Sequence, residues 1–243
     1  MKVKRTLGIL AAATAILVLP ASALLQGVKI AWNPKAGSTS KFMMNVDAEG
    51  DFGQGAMKIK VSMKVANKVK SVSDKEIVIE STMSDMKIKM GDDGQEMADP
   101  SGQGDQTTTN TYSRNGALVS TKSAAGMDNP RMEQMSSFLY PDKEIAIGGS
   151  WDRDLAKDDK KGTPSAKGSY TLVGEDKLGK WTAYKVTWTY KETSGDRPSS
   201  AEGTAWLDKE TGEVIKLEAK MKDVVFQEGI PPMNANVTMT RTE

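Results

Sequence analysis

Apolar and polar side chains alternate with a period of two along most of this chain, the signature of strands with one buried face. From Met57 to Val65 the odd positions read Met57, Ile59, Val61, Met63 and Val65, with Lys58, Lys60, Ser62 and Lys64 between them. The pattern recurs at Phe42, Met44 and Val46, and again at Met86, Ile88 and Met90. Later it returns at Tyr184, Val186, Trp188 and Tyr190, and at Ile215, Leu217, Ala219 and Met221. One dry face and one wet face is the habit of antiparallel sheets rather than parallel ones. Turn chemistry agrees: Asn115-Gly116 is a two-residue hairpin signal, and Asp208–Glu213 links the run Thr204–Leu207 to the run Val214–Met221. Ser73-Asp74-Lys75 and Glu175–Lys180 read as two further hairpin connections. The polar, Gly-bearing stretches Met97–Thr109, Lys157–Lys167 and Ser194–Ser200 read as loops.

One helix interrupts the strands. Asn129 can cap it, Pro130 suits its first turn, Met132, Met135 and Leu139 share a face, and Pro141 stops it. The expected fold is therefore all-β with one short helix: a curved antiparallel sheet or unclosed β-barrel. Its parts are a sheet region over 34–122, a helix over 130–139 and a sheet region over 141–243. The two sheet regions open alike, with a proline, a lysine and then Gly-Ser before the first strand (Pro34 to Ser38, Pro141 to Ser150), which suggests two similar halves.

The N-terminus adds a location. Lys2, Lys4 and Arg5 precede an apolar run from Leu7 to Leu19, then Pro20 and the small-x-small triplet Ala21-Ser22-Ala23. That is a secretory signal, with cleavage expected after Ala23. Residues 24–243 are then expected as a single β-rich domain in the extracytoplasmic space, periplasmic or fully secreted. No later apolar stretch approaches spanning length, so the mature chain is expected to be soluble, with peripheral envelope association left open. Losing Lys2, Lys4 and Arg5 turns a formal charge of +1 slightly negative. That leaves no electrostatic footprint for nucleic acid. With no cysteine in the chain, stability must come from the core rather than from disulfides.

Two stretches resemble known families. Tyr140-Pro141-Asp142-Lys143-Glu144-Ile145-Ala146-Ile147-Gly148-Gly149-Ser150-Trp151 resembles a strand lead-in found in an uncharacterised family of exported bacterial β-rich proteins with Met-rich strands in their first half. Tyr170–Gly174, Trp181–Val186 and the hairpin Trp206-Leu207-Asp208-Lys209-Glu210-Thr211-Gly212 are similar to a pattern in the LolA/LolB lipoprotein-carrier superfamily. The second resemblance implies an unclosed antiparallel barrel around a hydrophobic cavity. It carries over no binding residue, because the Asp-x-x-Thr-Gly hairpin is turn chemistry.

The chain also contains no histidine, which with the missing cysteine removes serine triads, thiol nucleophiles and imidazole metal sites. The acid pairs Asp92-Asp93, Asp152/Asp154 and Asp158-Asp159 remain for carboxylate chemistry, but solvated surface acids are the default for such runs. Asp92–Glu96 lacks the ligand spacing of a calcium loop. Fifteen methionines are the more telling group. Thioethers fill irregular cores, wall adaptable apolar cavities, or bind soft metals, the last normally with His or Cys beside them. Trp188, Tyr184 and Tyr190 share parity with Val186 and read as a core face, and the lysines of opposite parity read as a solvated one. The expected function is a non-enzymatic binding protein for a lipid or other hydrophobic ligand, without cofactor or metal. Met44, Met57, Ile59, Met63, Met86, Ile88 and Met90 would line an apolar concavity. Two other classes stay open: an envelope interaction module with a filled core, and an enzyme whose acids are brought together by folding. Sequence does not set the oligomeric state.

Overall fold

A computed structural model describes residues 27–243, except 54, 92–93, 95, 99–103, 125–127 and 227–229. The secretory signal and its cleavage site lie outside the described residues, as do Asp92 and Asp93. The strands are β1 (Thr39–Asp51), β2 (Ala56–Val72), β3 (Glu76–Met90), β4 (Glu96–Ala98), β5 (Gln106–Ser113) and β6 (Leu118–Ser123). After helix α1 (Pro130–Ser136) follow β7 (Ser150–Leu155), β8 (Ala166–Leu178), β9 (Trp181–Glu192), β10 (Ser200–Asp208), β11 (Val214–Val224) and β12 (Met233–Arg241). All pairings are antiparallel, in the order β6-β5-β3-β2-β1-β12-β11-β10-β9-β8-β7, with β4 added beside β3. The expected all-β class with one short helix is what the chain forms, and the sheet does not close into a barrel.

The sheet is strongly curled. Six inter-strand steps separate β5 from β10, about 29 Å on a flat sheet at about 4.8 Å per step. Yet Tyr140 bridges the two hairpin tips beyond these strands, donating its N–H to Asn115 O (2.8 Å) and its hydroxyl to Gly212 O (2.7 Å).

The two halves repeat one local design. The Gly37 N–H bonds Val69 O, and the Val69 N–H bonds Ser38 O. In the second half the Gly148 N–H bonds Leu172 O, and the Leu172 N–H bonds Gly149 O. Both glycines sit at φ +83°, the third position of a type II turn closed by Ser38 N to Lys35 O and by Gly149 N to Ala146 O. One residue further on, Lys70 and Val173 are each the extra residue of a bulge. The hairpins β5–β6 and β10–β11 also match, with Val119 and Ile215 as bulged residues. Counted from the lead-in turns, β5 and β6 correspond to β10 and β11. The segment carrying α1 then falls where the first half would carry the counterpart of β12. A helix in that slot is why β6 and β7 remain edges.

Local detail departs from the sequence pattern in four places. Residues Met97–Thr109 do not form one loop: Met97 pairs with Ile88 in β4, and Gln106–Thr109 are already strand β5. The helix ends at Ser136 rather than 139, because the Ser136 and Ser137 hydroxyls bond the Met132 and Glu133 carbonyls at 2.9 and 2.6 Å and Ser137 turns extended. Ile215 leaves the face of Leu217, since the β11 bulge turns it toward Ala183 and Trp206 on the other side. A bulge at Asp85-Met86, with Asp85 at φ +51°, switches the inward parity of β3 from Ile77, Ile79 and Met83 to Ile88 and Met90.

The core occupies the inner face of β7–β12. Leu172, Val186, Leu207 and Met221 are fully or almost fully buried there, with Tyr184, Trp188 and Tyr190 beside them as the parity predicts. Met135, Leu139 and Tyr140, from α1 and the strap that follows it, press onto this face. Arg131 anchors the helix through a bidentate pair to the wholly buried Glu192 carboxylate (2.7 and 2.5 Å), which also accepts the Ser199 N–H at 2.6 Å.

Candidate functional site

The main buried cluster lies on the β7–β12 side, and the β1–β5 side of the interior leaves open space. Between the inner faces of β1, β2, β3 and β5, the edge of α1 and the strap lies a cavity of about 280 Å3. Its wall is laid down by strand alternation: Phe42 and Met44 from β1, Val65 and Val69 from β2, Ile79 and Met83 from β3. Leu217 and Met239 continue the wall on β11 and β12. Met44 stands directly across from Met63 on one side and Met239 on the other. Aromatic rings close one end: Trp32 stacks on Tyr140 at 6.0 Å and meets Tyr112 edge-on at 5.5 Å. Phe138 packs edge-on against Tyr140 and Tyr170, and the Trp151 indole N–H bonds Leu139 O (2.9 Å), so the strap is held by aromatic packing and hydrogen bonds.

One corner of this apolar space is polar. Asn129 caps α1 by accepting the Met132 N–H at 3.0 Å and is itself held by Phe226 O at 2.8 Å, which places Glu133 in the first helical turn facing β5. Glu133 Oε2 accepts from Asn110 Nδ2 (3.1 Å) and from the Tyr112 hydroxyl (3.3 Å). Burial pushes the Glu133 carboxyl above its ordinary range, against the lowering pull of those two donors. Burial first, and then the neighbouring Glu133, push the Tyr112 hydroxyl up as well. Asn110 is 3 % exposed, and its Oδ1 receives no hydrogen bond; the buried Oδ1 of Asn67, on the same cavity wall, receives none either. The second carboxylate at the cavity, Glu213, is already answered by Arg241 (3.5 Å) and the Ser40 hydroxyl (3.4 Å).

The seven residues predicted to line a concavity fall in different places. Met44 lines this cavity. Met63 and Met86 line a separate depression of about 550 Å3 at the β3 bulge, with Met43 and Met83, where the Lys64–Asp85 ion pair (2.7 Å) also lies. Ala98, Gly104 and Gln106 also line that depression. Ile59 lies in a shallower hollow with Ala48, Met221 and Ala235. Ile88 pairs with Val61 and is half-buried, while Met57 and Met90 are exposed at the far ends of β2 and β3. The predicted set thus shares one sheet face but not one cavity.

Sequence reading missed Glu133, Asn110, Tyr112 and Asn67. Asn67 had a legible signal, a polar residue at an inward position between Val65 and Val69. The acid pairs among the described residues lie outside the cavity: Asp152 of edge strand β7 pairs with Lys167, and Asp158 and Asp159 pair with Lys161 and Lys157 beside a turn.

No protein-family profile matches the chain, and no curated protein matches it in sequence. Among solved structures, one of lipovitellin and its lipid–protein interactions superposes with a TM-score of 0.51 at 10% identity, over 86% of this chain and 25% of that one. The chain therefore spans about a quarter of the lipovitellin chain it matches. The hypothetical lipoprotein YmcC from Escherichia coli K12 gives a TM-score of 0.33 at 14% identity, over 86% of this chain and 89% of that one. An exported protein with a YmcC-like fold from Bacteroides fragilis gives 0.36 at 11% identity, over 88% and 100%. At 10% identity the lipovitellin match speaks to architecture alone: the open antiparallel sheet described above is a fold this chain shares with part of lipovitellin.

Proposed function

We propose that this chain is a non-enzymatic, extracytoplasmic binding protein that holds a lipid or other hydrophobic ligand between β1–β5 and the strap. One observation carries the reading: an apolar-walled space of about 280 Å3 left open between β1–β5 and the strap, beside the buried core of the β7–β12 face. Binding there is burial, with no bond made or broken; alkyl surface leaves water at about 25 cal/mol per Å2. At about 30 Å3 per small group, the space takes roughly nine or ten non-hydrogen atoms. That suits one short alkyl chain, or the end of a longer one, rather than a whole two-chain lipid. The extracytoplasmic placement rests on the signal-like N-terminus of the sequence.

A second reading, an envelope interaction module, has its own support in Met57 and Met90, 38% and 46% exposed at one end of the sheet. Two measurements separate them. Native mass spectrometry of the chain purified from its own source, with organic extraction, should find an apolar molecule bound stoichiometrically. Met44→Trp, which builds bulk into the cavity, should weaken uptake of a fluorescent apolar probe such as N-phenylnaphthylamine about tenfold while the fold persists by circular dichroism. A clean apo mass together with no probe uptake by the unaltered chain would move the assignment to the interaction module.

A further inference from the structure

The polar corner of the cavity is one-sided in its hydrogen bonding. Both donors available to Glu133 converge on Oε2, and Oε1 accepts nothing from the described residues. Asn110 Oδ1 and Asn67 Oδ1 also accept nothing. Both unmet buried atoms at the cavity are acceptors. Buried polar atoms are normally paired, so two unanswered acceptors on one cavity wall, beside a carboxylate oxygen with no protein donor, describe the complement of a ligand. That ligand must donate. No Lys or Arg lines the cavity, and no cation of the described residues pairs with Glu133, whereas Glu213 has Arg241. A donor that is also positively charged would answer the ionised Glu133 carboxylate.

We propose that the cavity binds a single-chain amphiphile through a protonated primary amine seated against Glu133 and Asn110, with its alkyl chain along Phe42, Met44, Val65 and Met83. This rests on the hydrophobic-ligand reading above and gives that ligand a head group. An ammonium brings three N–H donors and one positive charge. An alcohol brings one donor and no charge. A carboxylate brings no donor and repels Glu133.

Isothermal titration of the unaltered chain at neutral pH with octylamine, 1-octanol and octanoate tests this, each probe matching the cavity in size. Octylamine should bind about tenfold or more tighter than 1-octanol, with octanoate weakest. In Glu133→Gln, which keeps the side chain's shape, octylamine should lose about tenfold or more in affinity and its preference over 1-octanol should disappear. If 1-octanol binds as tightly as octylamine, or octanoate tighter than both, the amine assignment is overturned and the apolar-cavity reading stands. If none of the three binds, the cavity reading itself falls and takes the amine with it. The comparison within the unaltered chain decides even if the variant fails to fold. An octylamine preference that survives in a folded Glu133→Gln also overturns the assignment.

Discussion

Glu133 is a carboxyl placed where water is scarce, and the strain of that placement should be visible in stability before any ligand is found. Its folded-state pKa is raised above the ordinary 4.5 by burial, so the folded chain holds that proton to higher pH than the unfolded chain does. The stability this gives is fully present below about 4.5 and lost as pH rises through the raised value. Tyr112, Tyr140 and Glu213 are the other titratable groups at the cavity, and both tyrosines stay protonated throughout this range because burial raises their pKa values. Glu133→Gln should therefore gain on the unaltered chain in urea midpoint as pH is raised from about 4, then level off. A difference that stays flat with pH would show that the carboxyl is solvated. Residue identity was legible in the sequence wherever alternation was strict: Phe42, Met44 and Val65 face inward as their parity requires. Glu133 was not, because it lies between Met132 and Met135 on a helix whose apolar spacing gives no hint that β5 brings Asn110 and Tyr112 against it.

At the scale of elements, the strap after α1 decides how much interior remains open. Tyr140 ties it to two hairpin tips, and Arg153 bonds the Tyr140 carbonyl from β7. Gly116, in the β5–β6 turn, sits so close beneath it that a Cβ there would lie 2.1 Å from Phe138 O and 3.1 Å from the Tyr140 ring. Gly116→Ala must push the strap away. The expected result is a loss of about 2 kcal/mol or more in stability, and altered Trp32 fluorescence as its stack on Tyr140 is disturbed. Unchanged emission and stability would mean that the turn yields instead. The strands and the helix were legible from period and caps. The bulges at Lys70, Asp85-Met86, Val173 and Ile215 were not, since one inserted residue looks like any other until its partner strand is known. That is also why seven residues chosen by parity spread over several hollows: parity fixes a face, and only the curl of the sheet decides which parts of the face meet.

At the scale of the molecule, two similarly built halves join through β1 and β12 and part between β6 and β7. Strand β7 carries Asp152, Arg153 and Asp154, charges that discourage another strand from pairing there. Hydrogen exchange should grade accordingly: amides of β6 and β7 exchange first, and those of β1, β11 and β12 last. Equal protection at the seam and the centre would contradict an open sheet in solution. The similarity of the halves was faintly legible in the paired Pro…Gly-Ser lead-ins, but the opening was not, because nothing in a helical segment announces the strand it displaces. In a closed barrel the bore is fixed by strand number and stagger. In a ring with a gap, the span across the gap sets it. This molecule works like a hose clamp whose screw is the segment carrying α1 and Tyr140. Insertions, deletions or single substitutions in that one connection can resize the interior while every rung of the ladder stays as it is.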